Sequence, residues 1–160
     1  MGLQLQDLFI PGRIKCRLEA EDKAEVFEEL VDLLVMQYGL DCRDEILEAV
    51  SVREAKMSTG IKRGIAIPHA KTSFTRGVIG VLGLSARGID YESLDRQPVH
   101  MLFLLVSSEA DAATHLGVLK KIALLVENPD FYRDAMAAGE PEKVHTVIRT
   151  YEEILDTQET

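Results

Sequence analysis

An α/β sandwich is the architecture expected of this 160-residue chain. Two runs, Val78 to Leu84 and Met101 to Val106, are apolar on both sides, as strands covered on two faces must be. Segments with helical apolar spacing precede and follow them and supply the covering layers.

The elements follow in order. Residues 13–18, Arg-Ile-Lys-Cys-Arg-Leu, alternate polar and apolar and predict a strand with one wet face. Residues 22–38 predict a helix: Val26, Leu30, Leu33 and Leu34 share a face, and Gly39 can end it. Asp41 is the expected N-cap of a second helix running to about Ala55, with Ile46, Ala49 and Val50 on its stripe. Arg53 continues that stripe inward, where a charge needs a partner. Ile61, Ile65 and Ile67 mark a strand leading to Pro68 and His69. Beyond the two apolar strands, Asp111 can cap a helix over 112–127. Asn128-Pro129 opens another, which Gly139 ends. Pro141 opens the last, with Val144, Val147, Ile148, Tyr151, Ile154 and Leu155 on its inner side. Residues 1–155 read as one domain, and Asp156 to Thr160 as a polar tail expected to fray.

The net charge of -9 argues against a nucleic-acid partner and favours partners that are neutral or carry a basic docking face. No apolar run approaches the roughly 18 residues of a membrane span, so no direct membrane insertion is expected. The N-terminus lacks the basic start and apolar core of a secretion signal. Gln6 stands where a myristoylation signal would place Ser or Thr. Cys16 and Cys42 make neither a metal spacing nor a disulfide framework, and a reduced, cytoplasmic compartment is expected.

Chemistry gathers on a few residues. In Gly64-Ile-Ala-Ile-Pro-His69-Ala70 an apolar strand runs into a proline, and a histidine follows at a rigid exit. Imidazole is neutral and nucleophilic near physiological pH, although a histidine after a proline is also an ordinary loop residue. His115 falls in the first turn of the helix after Asp111. It either tucks against the core or, kept neutral by the helix terminus, donates to a phosphoryl oxygen. Arg53 offers a planar cation suited to phosphoryl oxygens, and Ser58 and Thr59 offer hydroxyls that equally form turns. His100 reads as a strand-end residue and His145 as solvated. There is no P-loop, no zinc spacing and no G-x-S-x-G elbow, so no cofactor or metal is expected.

Gly-Ile-Ala-Ile-Pro-His at 64–69 resembles the active-site signature of the fructose/mannitol-type enzyme IIA domains of the bacterial phosphoenolpyruvate-dependent phosphotransferase system. Upstream, Arg53-Glu54 followed by Ser58-Thr59-Gly60 is similar to that family's Arg-Glu-x-x-x-Ser-Thr-Gly segment. Downstream, Gln97-Pro98-Val99 leading into Leu102 to Leu105 resembles its central strand, and Thr114-His115-Leu116 its second histidine motif. The resemblance implies a three-layer α/β/α sandwich around a mixed sheet. It implies that His69 accepts a phosphoryl group from a phosphohistidine carrier, HPr or a paralogue, while His115 and Arg53 stabilise it. The group then passes to an enzyme IIB domain or remains as a regulatory signal to a target protein. The chain departs from the pattern at Lys56-Met57, where Leu-Gly is common, at Arg63, where Asn often stands, and at Ala70, where Gly often stands. Lys62, Arg63 and Lys71 are expected to add positive charge beside the site.

A stand-alone domain suits a nitrogen-regulatory IIA protein as well as a sugar-transport component, and the regulatory role is the one expected. The rival classes are a binding module that uses the same surface without transferring phosphate, and a metal-dependent hydrolase using both histidines.

Overall fold

The computed structural model describes residues 2–158. The two apolar runs form the centre of its sheet. Strands β5 (Val78–Ile89) and β6 (Val99–Ser107) pair antiparallel, with Val78 opposite Ser107 and Leu84 opposite Met101. Strand β1 (Ile14–Lys15) lies parallel to β5 on one side. On the other side, β3 (Ile65–Ala66) lies parallel to β6, and β2 (Gly60–Lys62) pairs antiparallel with β3. Strand β4 (His69–Lys71) follows β3 along the same edge of β6, also parallel. The sheet is therefore mixed, in the order β1-β5-β6-β3-β2.

The covering layers explain why β5 and β6 have no polar face. Val81, Leu102, Leu104 and Val106 join a core built with helices α2 (Lys23–Tyr38) and α3 (Arg43–Lys56). Leu82, Leu84, Met101, Phe103 and Leu105 join a second core. That core is built with α1 (Leu5–Leu8), α4 (Ala112–Val126), α5 (Pro129–Ala138) and α6 (Pro141–Gln158). Successive residues thus alternate between two dry layers, and the expected three-layer α/β/α sandwich is what forms.

Helix ends follow their local chemistry. The Asp22 carboxylate accepts the Glu25 N–H at 2.9 Å at the start of α2, and Gly39 closes it at φ 64°. Asn128 caps α5 by accepting the Asp130 N–H at 2.9 Å. Helix α3 begins one residue later than expected: its first bond runs from the Ile46 N–H to the Cys42 carbonyl, so Cys42, not Asp41, holds the cap position. Helix α4 begins where expected, but the Asp111 carboxylate does not cap it. It accepts the Gly77 N–H at 2.9 Å and the Ser108 hydroxyl at 2.5 Å.

Other differences trace to competing contacts. The first strand is two residues long because residues 11–13 form a 3-10 turn and residues 16–17 bend away before the Leu18 N–H reaches the Leu84 carbonyl. Helix α6 continues through Gln158, so residues 156–158 are helical rather than frayed, with Asp156 paired to Lys121 at 3.0 Å. Glu159 and Thr160 lie outside the described residues. Of the expected inner side of α6, Val144 and Ile148 are buried and Val147, Tyr151 and Leu155 pack partly buried against the same core, but Ile154 is exposed and Glu152 is buried in its stead. His145 is half-buried rather than solvated and donates from Nε2 to the Gln6 carbonyl at 2.8 Å. No helix among the described residues is long and apolar enough to cross a membrane.

Candidate active site

The site is made where one strand is interrupted. The three isoleucines do not share a single strand: β2 and β3 form a hairpin that turns at Arg63 and Gly64, with φ 54° and 84°. Arg63 carries a left-handed conformation that an asparagine would adopt more easily. After β3 the chain breaks at Ile67-Pro68, because proline has no N–H for the ladder. His69 therefore opens β4 rather than trailing β3.

The break fixes the imidazole. The Ile67 carbonyl lies 2.7 Å from His69 Nδ1, and a carbonyl only accepts, so Nδ1 carries the proton. Nε2 is left with its lone pair. His115, in the first turn of α4, is buried at 2% exposure, and its ring stands 5.5 Å from that of His69, inclined at 67°. Its Nδ1 lies 2.5 Å from the Ser107 hydroxyl at the end of β6, while its Nε2 is buried without a partner. Burial pushes His115 down to about 4, assisted by the charges of His69 and Lys71. Burial also lowers His69, with Arg53 and Lys71 acting in the same direction; the bond to Ile67 and the charge of Glu54 oppose them. Both rings are neutral near neutral pH.

Arg53 is not the inward residue of α3. The buried stripe runs Ile46, Val50, Glu54, and Arg53 is half-exposed, donating to the Met57 carbonyl at 3.0 Å. The charge that needed a buried partner is Glu54. It accepts the Thr59 N–H at 2.9 Å, the Thr59 hydroxyl at 2.5 Å and the Tyr91 hydroxyl at 3.2 Å, and pairs with Lys23 at 3.1 Å. This network ties the loop before β2 to the end of α3 and so sets where Arg53 stands. Thr59 is consequently buried and engaged, and Ser58 accepts the Gly60 N–H at 3.1 Å. Arg53, Lys56, His69 and Lys71 line one depression of about 440 Å³, floored by Ala49, Val52 and Ala70.

Lys62 and Arg63 are not beside His69. They flank the hairpin turn, at the end of the edge where Ile65 faces Met101, whereas His69 faces Leu105. They line a separate cleft of about 250 Å³ with Ile61, Ala123 and Glu127. His100, in β6, donates to the Ser85 carbonyl at 2.8 Å. No group of three His, Cys, Asp or Glu side chains among the described residues could hold a metal ion.

Sequence reasoning missed Ser107 and Glu54. Glu54 was legible as the i+8 position of the stripe beginning at Ile46; Ser107 was legible only as the polar residue closing an apolar strand.

The sequence model of the phosphoenolpyruvate-dependent sugar phosphotransferase system, EIIA 2, matches residues 7–151. The chain belongs to this family. A fructose-specific EIIABC component of the phosphotransferase system from Bacillus subtilis (strain 168) is 33% identical over 150 residues. These cover 94% of this chain and 24% of that protein, so the chain spans about a quarter of that relative's length. A nitrogen regulatory protein of Bradyrhizobium diazoefficiens is 30% identical over 146 residues, covering 91% of this chain and 95% of the relative. The crystal structure of the nitrogen regulatory protein IIA-Ntr from Neisseria meningitidis superposes with a TM-score of 0.83 at 25% identity, covering 90% of this chain and 98% of that one. The EIIA 2 domain thus has relatives both in a sugar-specific protein and in nitrogen regulatory proteins.

Proposed function

We propose that His69 Nε2 is the phosphoryl acceptor of a phosphohistidine relay, taking the group from an HPr-type carrier. The observation that carries the reading is the Nδ1–H bond to the Ile67 carbonyl, which leaves Nε2 as an unprotonated lone pair in a depression lined by cations. The lone pair forms the new N–P bond in line as the carrier's N–P bond breaks, and the breaking pair returns to the carrier's ring nitrogen. The His69 ring keeps its Nδ1 proton, and the positive charge it gains rests against the Ile67 carbonyl. Nitrogen replaces nitrogen, so the work is positioning and charge stabilisation. Arg53 neutralises the equatorial oxygens. With the Ser107 hydroxyl donating to Nδ1, His115 presents an Nε2–H donor to the same group.

Purified protein incubated with phosphoenolpyruvate, enzyme I and HPr should gain one acid-labile phosphoryl group. His69→Ala should gain none, and His115→Ala should slow transfer by about 10²-fold. Full labelling of His69→Ala rules the assignment out. The phosphoryl group goes on to a IIB domain or serves as a regulatory state read by a target protein; adding a IIB domain to phosphorylated protein separates the two. If instead a target binds His69→Ala and His69→Asp alike, the surface is a binding module without transfer.

A further inference from the structure

We propose that the depression around His69 docks a protein whose contacting face is acidic. The inference rests on the relay reading and adds to it the charge of the partner.

The chain carries a net charge of -9, so a basic rim is against its average. The ion pairs among the described residues lie elsewhere: Lys15, Lys23, Arg43, Arg87, Lys121, Arg133 and Lys143 each have a carboxylate within 4.0 Å. Arg53, Lys56 and Lys71 have none among the described residues, as is true of several other surface cations; what sets these three apart is that they converge on one depression with His69 that no carboxylate lines. Glu54, next to Arg53 in sequence, is turned inward and spent on Thr59, Tyr91 and Lys23. The cations exceed what the chemistry uses. A phosphoryl group carries about -1.5 to -2, which Arg53 and Lys71 balance. Lys71 is the closer lysine in effect, since its charge acts on both imidazoles. Lys56 is left over. It ends α3, and the next residue, Met57, is 62% exposed, while Val52 in the same depression is 53% exposed. Lys56-Met57 is also where the chain departs from the Leu-Gly of the resembling family, so the departure falls on the rim of the site. Exposed apolar side chains ringed by unpaired cations form a protein-docking surface. A nucleic acid would demand a broader basic footprint than a chain of charge -9 offers.

Complementary charge acts mainly on encounter rate and its salt dependence. The test uses a phosphorylated HPr-type carrier in two forms, with its docking-face rim set to glutamates or to lysines, and phosphoramidate as a small donor with no docking face. The glutamate form should phosphorylate the protein about tenfold faster at low salt, and the advantage should shrink as salt rises. Lys56→Glu should remove that advantage and favour the lysine carrier. Lys56→Gln should fall between. Phosphoramidate should label all three proteins to the same final extent, one phosphoryl group each, which shows the site intact. Equal rates with both carriers, or indifference to Lys56→Glu, overturn the docking proposal while phosphoramidate labelling leaves the relay standing. Failure of phosphoramidate and both carriers to label the unsubstituted protein overturns the relay, and this proposal with it.

Discussion

His115 resists protonation, and the resistance is measurable as stability. Its imidazole titrates at about 4 in the folded protein, down from an ordinary 6.5 in an unfolded chain, because burial disfavours the charged ring. Between those values the unfolded chain binds a proton that the folded one does not, so stability is full above about pH 6.5 and declines as pH falls toward 4. The complete difference is about 3 kcal/mol. Urea melts taken from pH 7 to 4.5 should follow this decline, and His115→Gln should flatten it. The flattening is partial, because His69 is lowered in the same direction. An identical slope in the variant shows that another group governs the window. At this scale the titrating residues were legible but their phase was not. Arg53 and Glu54 are neighbours on a helix whose stripe, counted from Ile46 and Val50, admits either. The buried acceptor network of Thr59 and Tyr91, which lies outside any local pattern, selects Glu54.

Elements that fold on their own periodicity were read well, and elements held by distant partners were not. Helices α2 and α5 carry their stripes and end signals in local residues, and α4 its stripe. The hairpin of β2 and β3 and the break before β4 depend on pairing with β6, forty residues away in order of magnitude, so three isoleucines looked like one strand. The clearest case is α1, a single turn too short to persist alone. Leu5, Leu8 and Phe9 are buried in the second core, and the wholly buried Glu152 of α6 accepts the N–H groups of Leu5 (2.5 Å) and Gln6 (2.9 Å). Lys121 pairs with the same carboxylate at 3.0 Å. Nothing near residue 5 in sequence announces this latch. Glu152→Ala should cost about 3 kcal/mol, since it leaves two backbone donors without an acceptor and Lys121 with Asp156 as its remaining carboxylate. Amide exchange over residues 5–9 should quicken more than that of β5 and β6. Unchanged protection at residues 5–9 would show that apolar burial alone holds α1.

On the scale of the whole molecule, two cores share one sheet. The cores meet across β5 and β6, whose successive side chains enter opposite layers, and, toward the sheet's edge, across β3, where Ile65 enters one layer and Ala66 the other. Neither helical layer can leave without exposing one face of the same strands, so the layers should not unfold separately. The chain has no tryptophan, and its four tyrosines divide between the sides. Tyr38 and Tyr91 belong to the layer of α2 and α3; Tyr132 and Tyr151 belong to that of α5 and α6. Tyrosine absorbance therefore reports on both layers, and far-ultraviolet circular dichroism on the backbone. Leu30→Ala removes a fully buried side chain from one core and Ile148→Ala from the other. Each should cost about 2–5 kcal/mol and shift both signals together, in a single coincident urea transition. If Leu30→Ala moves the absorbance transition ahead of the dichroism, the sheet does not couple its two faces. The imidazole pair at its edge would then stand on only one of them.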